Sequence, residues 1–120
     1  MVNDFTTLGP DGYVASRTPY YASLYPVLRQ AAREHGYALA LHGSLTKDLD
    51  VLAVPWVEGA SDPVTLAHAV CEAAGGFIEL RIDLGQNPKQ MPHGRLAWTI
   101  QLGSNGGYVD LSVMPPRRTT

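Results

Sequence analysis

Apolar positions along this chain keep two periods, and the switches between them divide the sequence into helices and strands. Leu24, Val27, Leu28, Ala31 and Ala32 recur at the i, i+3, i+4, i+7, i+8 spacing of an amphipathic helix. Pro26 is tolerated only in a first turn, which puts the start of this helix near Ser23, and Gly36 ends it. The alternative start is Thr18-Pro19, with a kink at Pro26. A second helix is announced by Ser61-Asp62-Pro63, a capping side chain followed by proline at the first helical position. Its apolar stripe is Val64, Ala67, Val70, Cys71 and Ala74, and Gly75-Gly76 stops it.

Residues 37–42 and 49–54 are short apolar runs that suit interior strands, the second ending at Pro55. The segment 43–48 between them favours antiparallel neighbours, because a parallel crossover takes about a dozen residues or more. Three alternating strands follow, 77–84, 95–102 and 108–114. Ile78, Leu80, Ile82 and Leu84 share one face of the first; Leu96, Trp98, Ile100 and Leu102 do so in the second, and Val109, Leu111 and Val113 in the third. The opposite positions are polar, so Arg95, Thr99, Gln101, Asp110 and Ser112 belong to a sheet surface that helices leave uncovered. The glycine-rich stretch 103–107 reads as a hairpin loop that makes the last two strands neighbours. The expected fold is α+β: a mixed, largely antiparallel sheet of about five strands with the helices on one face. Residues 1–18, with Gly9-Pro10-Asp11-Gly12, read as a turn-rich N-terminal arm, 19–116 as a single domain and 117–120 as a tail.

Composition narrows the function. A formal net charge of -2, from nine Lys and Arg against eleven Asp and Glu, provides no extended nucleic-acid surface, although a local basic pocket remains open. The one cysteine, Cys71, has no internal partner for a disulfide, in keeping with a reducing compartment. No run approaches the roughly 18 to 20 apolar residues of a membrane span, and the N-terminus lacks the basic start and apolar stretch of a signal peptide. A cytoplasmic protein that does not engage the membrane is expected. No zinc spacing, Walker loop or dinucleotide fingerprint is present.

The chemistry concentrates in residues 39–54. Asp48 and Asp50, two apart, project from one face of a strand entrance while Leu49, Val51 and Ala53 face a core. Paired carboxylates grip a hard divalent cation, and the adjacent Gly43-Ser44 turn offers backbone N–H groups and a hydroxyl to a phosphate. Asp110 adds a third carboxylate on a strand whose other face is apolar. Plainer roles stay open beside these: a polar strand entrance for the Asp pair, a solvated sheet residue for Asp110, an ordinary turn for Ser44, and a hydrogen-bonded structural histidine for His42.

A strand ending in Gly43-Ser44, an Asp48-Leu49-Asp50 at the head of the next strand and Asp110 in a later apolar strand resemble the minimal nucleotidyltransferase domains of the DNA polymerase beta superfamily. The resemblance covers about residues 23–114. It implies a nucleotidyltransferase-like fold with Asp48, Asp50 and Asp110 as catalytic metal ligands for Mg²⁺ or Mn²⁺, and with Gly43 and Ser44 as the turn that holds a nucleotide's phosphates. That family has a longer segment between Gly-Ser and Asp-x-Asp, where this chain has only Leu45-Thr46-Lys47. The phrases His42-Gly43-Ser44 with Asp48-Leu49-Asp50, Pro92-His93-Gly94-Arg95, and 108–115 also resemble small phage and prophage proteins, which implies the bacterial host cell as the setting.

A second candidate element precedes the strand at 95. Lys89, His93 and Arg95 bring cationic groups together, and alternation sends Arg95 to the face of Asp110, where a guanidinium suits phosphate; pairing of Arg95 with a neighbouring acid is the plainer role. Tyr108 shares that face and offers a ring for stacking or for packing. The expected ligand set is therefore His42, Gly43, Ser44, Lys47, Lys89, His93, Arg95, Tyr108 and Ser112, around a nucleotide or nucleotide-derived small molecule. Three functions compete: metal-dependent nucleotidyl or phosphoryl transfer, sequestration of a nucleotide-derived immune signal of the cyclic-nucleotide or ADP-ribose type by a phage anti-defence protein, and a protein-interaction module. Homo-oligomerisation is open.

Overall fold

The computed structural model describes residues 17–78, 88–103 and 107–116. Its elements run α1 (Thr18–Glu34), β1 (Tyr37–His42), β2 (Leu49–Pro55), α2 (Pro63–Ala74), β3 (Phe77–Ile78), β4 (Lys89–Gln90), β5 (Leu96–Gln101) and β6 (Tyr108–Val113). The sheet order is β1-β2-β6-β5-β3, with β4 also paired to β5. Pairing is antiparallel except between β2 and β6, so the fold is α+β with a mixed, mostly antiparallel sheet.

Alternation assigns the faces as the pattern requires. Leu49, Val51 and Ala53 of β2, Val109, Leu111 and Val113 of β6, and Trp98 and Ile100 of β5 are buried together with Tyr21, Leu24, Leu28 and Ala32 of α1 and Leu66, Ala67, Val70 and Cys71 of α2. Both helices therefore cover one face of the sheet. The other face carries Asp50, Asp110, Ser112 and Thr99, none of them fully buried.

Several expectations need correction. Helix α1 begins at Thr18, with Pro19 in its first turn and Pro26 inside it, so the start near Ser23 gives way to the alternative at Thr18-Pro19. The earlier start lets Tyr21 join Leu24, Leu28 and Ala32 in the buried stripe, while Val27 turns outward at 49% exposure. In α2 the stripe runs through Leu66 in place of Val64, which is also half exposed, and Asp62 caps the helix by accepting from the Thr65 N–H at 2.8 Å. Strand β1 lies at the sheet edge and is not interior. Its open-face positions are small, Ala38 and Ala40, which made the run look buried on both sides, and the Tyr25 hydroxyl donates to the Leu39 carbonyl at 2.6 Å. The candidate element before the strand at 95 contains β4 and a turn at Pro92–Gly94 in which His93 has φ +66°. Most of the expected strand 77–84, most of the arm 1–18, the tip of the 103–107 loop and the tail 117–120 lie outside the described residues. No helix among the described residues is long and apolar enough to cross a membrane.

Candidate metal centre

The parallel pairing of β2 with β6 creates the site. It sets Asp50 opposite Asp110 in register, and the antiparallel pairing of β1 sets His42 opposite Asp50 on the other side. One row across the open face therefore reads His42, Asp50, Asp110, Thr99. Asp48 enters from the loop just before β2, and one carboxylate oxygen from each of the three aspartates lies within 4.8 Å of the others. All three are half-buried.

Crowding shows in the protonation of these groups. Asp50 is pushed from 3.8 to about 6, first by burial, then by the hydrogen bond and charge of Asp48 and by the charge of Asp110, with His42 opposing. Asp110 is raised by burial and by Asp48, against the lowering influence of His42, Arg95 and its hydrogen bond with Asp50. Tyr108 is raised by burial and by all three acids, and its hydroxyl bonds Asp48. Three carboxylates at this spacing form a donor set for a hard divalent cation, whose oxygen ligands sit at about 2.0 to 2.6 Å.

The Gly43–Asp48 link is held from beneath by α1. The Thr18 hydroxyl donates to the Leu45 carbonyl at 3.0 Å and the Tyr21 hydroxyl to the Lys47 carbonyl at 2.8 Å. Leu45 sits in the left-handed region at φ +64° and packs against the core. Gly43, at φ +79°, has its Cα against the Asp50 carboxylate, so an added Cβ would lie 2.5 Å from Oδ2.

The expected site residues divide accordingly. Asp48, Asp50, Asp110, Tyr108 and Gly43 come together, His42 acts on Asp50 and Asp110, and Arg95 acts on Asp110. Arg95 has a buried Nε without a hydrogen-bond partner among the described residues. Ser44 is spent locally, its hydroxyl 2.8 Å from that of Thr46. Ser112 lies one row along the open face, beside Ala97. Lys89, opposite Ala97 on the far side of β5, and Lys47 and His93 are exposed, with no contact that ties their side chains to the acids among the described residues. Sequence reading missed Thr18 and Tyr21 as supports of the site; the Thr18-Pro19 helix start was the signal that carried both.

Fold and site together define an α+β protein with an open, carboxylate-bearing sheet face. No family model matches the chain, and no curated protein matches it.

Proposed function

We propose that the protein binds a divalent cation, Mg²⁺ or Mn²⁺, at Asp48, Asp50 and Asp110 and, through it, the phosphates of a nucleotide or nucleotide-derived small molecule. This reading takes the domain as nucleotidyltransferase-like, as its motifs suggest. The observation that carries it is the approach of the three carboxylates to within 4.8 Å on the helix-free face of the sheet. Paired carboxylates repel a phosphate unless a cation lies between them, and a bound divalent ion supplies that neutralisation. Arg95, whose charge reaches Asp110, would take phosphate oxygens on the same face. In the transfer reading an acceptor hydroxyl attacks phosphorus as the bond to the leaving pyrophosphate or phosphate breaks.

A second reading, binding without turnover, is favoured by the turn at Ser44. Its hydroxyl oxygen lies 2.8 Å from that of Thr46 and accepts from the Thr46 N–H at 3.4 Å, and the short link to Asp48 is pinned by α1, so the turn is already engaged with its own chain. Such a protein would sequester a nucleotide-derived signal of the kind a phage anti-defence protein removes.

Titrating Mn²⁺ by calorimetry and then adding a panel of nucleotides and cyclic dinucleotides tests both. Saturable Mn²⁺ binding that is lost in Asp110→Ala supports the metal site, and unchanged binding in that variant rejects it. Ligand recovered chemically intact after heat release selects sequestration; a converted ligand selects transfer.

A further inference from the structure

Tyr21 is the feature of the molecule that neither the core nor the acids account for by themselves. Its ring is fully buried in α1, yet its hydroxyl reaches past the core to the end of the sheet where the carboxylates gather. There it donates to the carbonyl of Lys47, the residue immediately before Asp48. The backbone of Tyr108, two residues before Asp110, hydrogen-bonds the same phenol oxygen. Independent geometry agrees: Gly107, at φ +81°, lies so close to this hydroxyl that a methyl group there would overlap it and would also crowd the Arg17 side chain. One oxygen thus ties the Lys47–Asp48 end of the loop to Tyr108 at the start of β6, just outside the β2–β6 ladder that begins at Leu49 and Val109.

From this juxtaposition we infer that Tyr21 is a positioning residue: its hydroxyl sets the separation of Asp48 from Asp110 and so tunes the affinity of the metal centre, without touching the ion. The inference rests on the proposed cation site. It goes beyond that proposal by assigning a role to a side chain in the helical layer. Groups that orient metal ligands from behind typically govern metal affinity by 10- to 100-fold when removed. The hydroxyl also explains the glycine at 107 just before β6, since a Cβ there would enter the space it occupies.

The test pairs Tyr21→Phe with Tyr37→Phe. Tyr37 is an equally buried tyrosine whose hydroxyl donates to the Ser61 carbonyl at 2.6 Å, at the end of β1 away from His42 and the acids. Tyr21→Phe removes the bonds to the Lys47 carbonyl and the Tyr108 backbone, Tyr37→Phe removes the bond to the Ser61 carbonyl, and each keeps its ring. Thermal melts should report modest losses of stability for both, the larger for Tyr21→Phe. Mn²⁺ titration should separate them: at least about tenfold weaker binding for Tyr21→Phe and wild-type affinity for Tyr37→Phe. Equal Mn²⁺ affinities in wild type and Tyr21→Phe, or equal losses in the two variants, overturn the inference. Absence of Mn²⁺ binding by the wild-type protein overturns the cation site itself, a result distinct from either of these. Should Tyr21→Phe not fold, Gly107→Ala displaces the same hydroxyl from the β6 side, and undiminished Mn²⁺ affinity in that variant overturns the inference as well.

Discussion

At the residue scale the protein turns on Asp50. Its carboxyl, raised from 3.8 to about 6, keeps a proton in the folded state that the unfolded chain has already released. The stability contributed by that proton is complete below 3.8 and lost as pH rises through about 6. In the presence of a chelator the melting temperature should therefore fall across this window. A divalent cation competes with the proton, so Mn²⁺ affinity should rise over the same window, and calorimetric titration at pH values on either side of it would show a flat profile if the acids were not ligands. Asp50→Asn makes the point more directly. It removes a repulsive charge while keeping the shape, so the chelated protein should gain on the order of 1 kcal/mol at neutral pH after allowance for solvent screening, or roughly 4 °C in Tm. The same variant should lose Mn²⁺ binding. A destabilised Asp50→Asn would make this carboxylate a structural hydrogen-bond acceptor. Gly43→Ala provides a steric counterpart, because its methyl group would meet Asp50 Oδ2 in a backbone conformation at φ +79° that favours glycine.

At the scale of elements, what could be read in advance follows from the rigidity of each local rule. The two-residue period of a strand leaves no latitude, so the shared face of Asp50 and Asp110 and the burial of Val109, Leu111 and Val113 were legible from spacing alone. Helix starts are looser. Two prolines, Pro19 and Pro26, each marked a candidate first turn, and only packing of Tyr21 into the core selects the earlier one. The parallel pairing of β2 with β6 was not legible in detail, because it depends on which strand fills the middle of the sheet. Leu111 occupies that middle strand with no exposure, so Leu111→Ala should cost about 2 to 5 kcal/mol in denaturant unfolding. Ser112→Ala, one residue along on the open face, should change stability by less than about 0.5 kcal/mol. Equal effects at the two positions would contradict the assignment of faces.

At the scale of the whole molecule, both helices of the described residues lie on one side of the sheet, and the other face carries no described helix. That surface is divided. Mostly small or apolar side chains at Ala40, Leu52, Ser112 and Ala97 form one row across the strands, and the row of Asp50 and Asp110 lies beside it. Arg95 lies at the far end, its Nε buried and without a hydrogen-bond partner among the described residues, its charge felt by Asp110. A ligand that carries phosphate and also a flatter, less polar part matches this arrangement: phosphate between cation and guanidinium, the remainder over the small side chains. With a formal net charge of -2, the molecule offers little general attraction for an anion, so a phosphate ligand must depend on these local groups. Arg95→Ala should accordingly weaken a nucleotide bound in the presence of Mn²⁺ by about 1.5 to 3 kcal/mol, the range for a hydrogen bond to a charged group, while leaving Mn²⁺ binding itself intact. Arg95→Lys should restore little of this if the guanidinium contacts two phosphate oxygens at once, since an ammonium group cannot reproduce a planar fork. Calorimetric titration of one nucleotide into wild type, Arg95→Ala and Arg95→Lys decides the matter, and three equal affinities would move the phosphate away from this end of the sheet.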